Sequence, residues 1–111
     1  MKQYVIDGLS PYDYERLKKY FDEILGQPSL GSIYWLEIDP ELLSPMQISH
    51  TDCQPHYFAF ELDERGHLSC EFLVRIKKSI KCDCMGYADK QQRDWLMDRI
   101  DTILNTLDIT V

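Results

Sequence analysis

Two short stretches of this chain carry side chains able to do chemistry. The first, His50-Thr51-Asp52-Cys53-Gln54-Pro55-His56, is an H-x-x-C-x-x-H run, and the second is Cys82-Asp83-Cys84. Together they hold three of the four cysteines and two of the three histidines. Thiolate and imidazole are the ligands that zinc and other borderline metals prefer, usually as a tetrahedral set of four. His50, Cys53 and His56 are three residues apart, so they can converge on one ion from a turn, which Pro55 would stiffen. Cys82 and Cys84 are two apart and would share a face if the chain there were extended. The candidate metal ligands are therefore His50, Cys53, Cys82 and Cys84, with His56 as alternate and zinc as the ion. C-x-C is less diagnostic than C-x-x-C, and the first run has the spacing of no zinc module we recognise.

The same residues admit other roles. A free cysteine packs like a small hydrophobe, as expected of Cys70, and Cys53, Cys82 and Cys84 could do likewise while His50 and His56 bond to backbone. A regulatory disulfide from Cys53 to Cys82 or Cys84 would need close Cα approach, which sequence does not reveal. A thiol-dependent enzyme would need a thiolate at Cys53 or Cys82 beside His50 or His56. Lys78 and Lys81 favour a thiolate at Cys82 and Asp83 opposes it. No catalytic signature surrounds any cysteine, so no catalytic residue is assigned.

Charged residues offer candidate contact surfaces. Arg75, Lys77, Lys78 and Lys81 place four of the twelve basic residues in seven positions. They suit an anion or an acidic partner, or serve only to keep a strand edge solvated. Asp94, Asp98, Asp101, Asn105 and Asp108 recur at one-turn steps along the last predicted helix. Their mutual repulsion suggests a partner, such as the basic run of a second copy, or a cation. Trp95 and Arg99 lie beside them at cation–π spacing, and an exposed Trp95 would mark an interface. Tyr34, Trp35 and Tyr57 are expected on a less covered sheet face.

The elements that must position these groups are readable from periodicity. Tyr4-Val5-Ile6 is a short strand. Ser10 caps a helix that runs to Leu25, with Pro11 at its first position and Tyr14, Leu17, Phe21, Ile24 and Leu25 on one stripe. Gly26 ends it. The run from Ser32 to Ile38 is a strand without clean alternation, which implies that both faces are covered. Ser44 and Gln47 form a capping box for a helical turn at 44–49. Alternation from His56 to Asp63 and from Leu68 to Lys77, with Gly66 in the loop, marks an antiparallel hairpin. The second strand is open to continuing, or restarting, through Ile80 to Met85. Asp89 and Gln92 box the last helix, whose buried face is Leu96, Met97, Ile100, Ile103, Leu104 and Leu107.

The order β-α-β-(short helical turn)-β-β-α reads as α+β, an antiparallel sheet of about four strands with two amphipathic helices on one face. If the first β-α-β strands are parallel, their crossover is right-handed. The 111 residues suit one domain, residues 1–111. A net charge of −7 argues against nucleic acid and against an anionic membrane surface. With a polar N-terminus no signal peptide is expected, no apolar run is long enough to span a bilayer, and a cytoplasmic location with reduced thiols is expected. The leading functional expectation is a non-enzymatic protein-interaction domain that self-associates. The alternatives are a small zinc-binding regulatory protein and a thiol-dependent enzyme.

Overall fold

The hairpin at the centre of the sheet organises the chain. In the computed structural model, which describes residues 2–28, 31–78 and 81–111, β3 (His56–Asp63) and β4 (His67–Ile76) pair antiparallel. Gly66 in the connecting loop has φ 88°, and a Cβ there would lie 2.3 Å from the Leu9 carbonyl oxygen. Only glycine satisfies both demands. β1 (Gln3–Ile6) adds to β4 and β2 (Ile33–Glu37) adds to β3, giving the order β1-β4-β3-β2 with every pair antiparallel.

β1 and β2 therefore occupy opposite edges, and α1 (Pro11–Leu25) carries the chain from one edge to the other. No parallel crossover forms between them. Ser10 caps α1 by accepting from the Asp13 N–H, and Gly26 ends it with φ 79°. α2 (Pro45–Ser49) and α3 (Lys90–Thr106) both start with complete capping boxes, Ser44 with Gln47 and Asp89 with Gln92. The order expected from sequence is the order observed.

One core fills the space between the sheet and the long helices. Tyr14, Leu17 and Phe21 of α1 and Leu96, Ile100, Ile103 and Leu104 of α3 pack on Phe58, Phe60, Leu62, Leu68, Cys70 and Val74. Phe21 stacks obliquely on Phe60 at 4.9 Å and on Tyr34 at 5.3 Å. The sheet is covered on this face. Ile33, Trp35, Tyr57 and Arg75 stand half-exposed on the other.

Three expectations need correction. β2 is not covered on both faces: Tyr34 and Leu36 are buried, while the alternating Ile33 and Trp35 are half-exposed. Its apolar run reflects an aromatic open face at a sheet edge, where Trp35 meets Tyr57 edge-on at 5.7 Å. Ile24 is 44% exposed and Met97 only half-buried, because the stripes on α1 and α3 are narrower than the run of apolar residues. The segment after β4 is not a continuing strand through Met85. Ile80 lies outside the described residues, and Met85 N–H donates to the Cys82 carbonyl at 3.0 Å, closing a tight turn. Asp83 favours that turn over extension.

After the turn the chain comes back along β4. The register of the hairpin shifts between Phe58 and Phe60. Beside the shift, Leu73 bridges Tyr87, Val74 N–H donates to the Gly86 carbonyl at 2.8 Å, and Ala88 N–H donates to that of Phe72 at 2.8 Å. Residues 86–88 thus extend the edge that β1 leaves short, and α3 begins directly after them. No helix among the described residues is long and apolar enough to cross a membrane.

Candidate metal centre

His50 terminates α2, and its own carbonyl accepts from Cys53 N–H at 2.9 Å across a single 3-10 turn, Thr51–Cys53. A 3-10 turn has three residues, so side chains three apart fall on the same side. Local geometry therefore puts His50 and Cys53 together. Cys82 and Cys84 come from the turn that follows β4, which the pairing of 86–88 holds against the sheet edge.

The two turns meet. His50 Nδ1 lies 3.0 Å from Cys82 Sγ, across 32 residues of chain. One ligand atom from each of His50, Cys53, Cys82 and Cys84 falls in a group whose members all lie within 4.8 Å of one another. A tetrahedral zinc with three sulfur ligands and one nitrogen has ligand edges of about 3.5–3.8 Å. To reach that size the widest-spaced donors would close in, while the His50–Cys82 pair, at 3.0 Å, would open slightly. The donor set is soft, N- and S-only, and suited to zinc.

The Cys82, Cys84 and Cys70 thiols are not equivalent. The Cys84 backbone N–H and then its thiol bond to Cys82 Sγ, and with His50 and Cys53 they hold the Cys82 thiol down to about 7 against the effect of burial. Burial pushes Cys84 up to about 12, with Cys82 and Cys53 adding to the rise. Backbone N–H donation to sulfur is the ordinary way a turn favours a thiolate. Cys70 sits apart in the core, where burial alone raises its thiol to about 12. It packs as expected.

His56 stands behind the four. Its ring is 1% exposed, with Nε2 3.4 Å from Cys84 Sγ, and it is not one of the four clustered donors. Burial, and then the charge of His50, lowers its basicity.

Two residues that the sequence placed only in capping boxes, Gln47 and Gln92, also brace this site. Gln47 Nε2 donates to the Cys84 carbonyl at 3.3 Å, while its Oε1 accepts from Gln92 Nε2 at 2.9 Å. Gln92 also donates to the Leu42 carbonyl at 2.9 Å. Both side chains are buried. The signal was present in the sequence: both capping boxes use Gln at the third position. Unlike Glu, Gln can cap through its oxygen and still donate through its amide nitrogen.

The candidate contact residues mostly have partners within the chain. Arg75 pairs with Glu71, and Lys77 lies 4.7 Å from the centre of the Tyr57 ring. Lys78 donates to the Asp52 carbonyl, which ties the basic segment to the 3-10 turn that carries His50 and Cys53. Asp94 pairs with Lys90 at 2.7 Å, and Asp101 accepts from the Tyr4 hydroxyl at 2.6 Å. Lys81 and Asp98 are exposed. Trp95 is half-buried and stacks on Phe58 at 6.3 Å, so it anchors α3 to the sheet rather than displaying an open indole. No protein-family model, curated protein or solved structure matches this chain.

Proposed function

We propose that this protein is a small metal-binding protein whose His50, Cys53, Cys82 and Cys84 hold one zinc ion in a structural or regulatory role. The observation that carries the reading is the convergence of four donors from two turns within 4.8 Å. A set of four protein ligands leaves no position open for substrate, which favours a structural centre over a catalytic one. Cysteine ligands bind as thiolates, and the lowered Cys82 thiol suits that state near neutral pH.

Native mass spectrometry of protein purified without chelator or added metal tests this. One zinc-sized increment per chain supports it. A metal-free chain that also fails to take up added zinc sinks it. The replacement Cys82→Ser with Cys84→Ser should lose metal and stability together.

A second reading, a protein-interaction domain that self-associates, is supported by the open sheet face, where Ile33, Trp35 and Tyr57 are half-exposed. The same spectrum tests it through the mass of the assembly. A metal-free dimer favours this reading over the first.

A further inference from the structure

We propose that His56 is a positioning residue for the metal, its Nε2–H donating a hydrogen bond to the Cys84 thiolate; this rests on the zinc-binding reading. His56 opens β3 and, by the alternation of the strand, points into the helix-covered side with Phe58. Its Nε2 is 3.4 Å from Cys84 Sγ, within reach for a bond to sulfur. Its Nδ1 is buried and has no hydrogen-bond partner among the described residues.

That arrangement is costly as packing. A leucine or phenylalanine would fill the space without leaving a polar atom unpaired, so shape alone does not account for an imidazole at this position. The metal-bound state does account for it. A ligating Cys84 has lost its proton and can only accept, so Nε2 must carry hydrogen and Nδ1 is the bare nitrogen. Metal binding thereby selects one tautomer.

The need for a donor follows from burial. Three thiolates and a neutral imidazole around a divalent ion leave the centre with one net negative charge. Cys53 and Cys82 are part-exposed and share theirs with water, whereas Cys84 is 3% exposed. The Cys84 sulfur depends on protein donors, and His56 is the side chain placed behind it. Partners of this kind orient a metal ligand, and their loss lowers affinity about 10–100-fold.

The test is zinc and cobalt(II) titration of the full chain against a competing chelator, with cobalt absorption spectra and metal-free melting curves. The variants are His56→Leu, which keeps bulk but cannot donate, and His56→Gln, whose Nε2 can. We expect His56→Leu to weaken both metals about 10–100-fold and to move the sulfur-to-cobalt charge-transfer band to lower energy, with metal-free melting unchanged or raised. His56→Gln should recover most of the affinity. Wild-type affinity and spectrum in His56→Leu would overturn the proposal. So would a loss of metal-free stability with an unshifted band, which marks a packing role. If His56→Leu does not fold, a His56→Gln protein that folds but stays 10–100-fold weak overturns it alone. Wild-type protein that takes up neither metal removes the zinc reading itself, whatever the variants do.

Discussion

At the scale of single residues, the cysteines should separate by reactivity. In metal-free protein, alkylation followed by peptide mass analysis should label Cys82 before Cys84, and Cys70 last, since hydrogen bonds lower the first thiol and burial raises the other two. Added zinc should protect Cys82 and Cys84 and leave Cys70 as it was. The buried amides make a second case. Gln92→Leu leaves the Leu42 carbonyl without its donor and should cost about 1–3 kcal/mol in denaturant unfolding. The Gln47→Leu, Gln92→Leu double variant should lose less than the sum of the singles, since the two amides bond to each other. Asp22 supplies a pH signature. The Tyr34 hydroxyl first, and the Lys18 ammonium second, hold its carboxyl below the ordinary 3.8. A depressed folded value stabilises the fold above the unfolded one, and that contribution is lost as pH falls through the folded value. The stability difference between wild type and Asp22→Asn should therefore be constant above about pH 5 and close as acid is added below it. Parallel curves down to pH 2 would contradict this.

At the scale of elements, helix starts were legible because a cap is local: Ser10, Ser44 and Asp89 each bond within three residues of themselves. Asp89→Ala should lower stability by about 1 kcal/mol, read by thermal unfolding. The hairpin was legible through alternation, and Gly66 through the turn it demands. What failed was long-range. Nothing within Ser32 to Ile38 says that it forms an edge, because edge status belongs to the partner strands and not to the segment. The turn at 82–85 was missed because its extended neighbours pair at 86–88, past a register shift that no local pattern encodes. The candidate metal ligands were legible as residue types, and His50 with Cys53 as a spacing. Their meeting with Cys82 and Cys84 depends on the sheet between them.

At the scale of the whole molecule, the covered sheet face and the two turns divide the chain between a core and a candidate metal site at one end of the hairpin. Metal removal should separate the two contributions. A strong chelator should lower the melting temperature of wild type and leave the Cys82→Ser, Cys84→Ser variant unmoved, as judged by paired melting curves. Equal shifts in both proteins would show that the chelator acts elsewhere. Surface charge is a poor guide at this scale. Much of the basic run and the acidic stripe is answered within the chain, by Glu71, the Tyr57 ring, the Asp52 backbone carbonyl, Lys90 and the Tyr4 hydroxyl. Pairs so exposed contribute little to stability, so neutralising Asp94 should move unfolding by well under about 1 kcal/mol.

The candidate ligands bracket the hairpin, with His50 and Cys53 before β3 and Cys82 and Cys84 after β4. At its far end the same hairpin is closed by the 64–66 loop, where Gly66 fits against Leu9. An ion at the near end would act as a staple across the mouth of a zipper. Two strands fastened at both ends cannot slide past one another without breaking a fastening, so metal would lock the pairing of His56 with Ile76 at the open end. Pulled from its two ends, the hairpin would resist until the metal–sulfur bonds gave way, and only then unzip toward the loop.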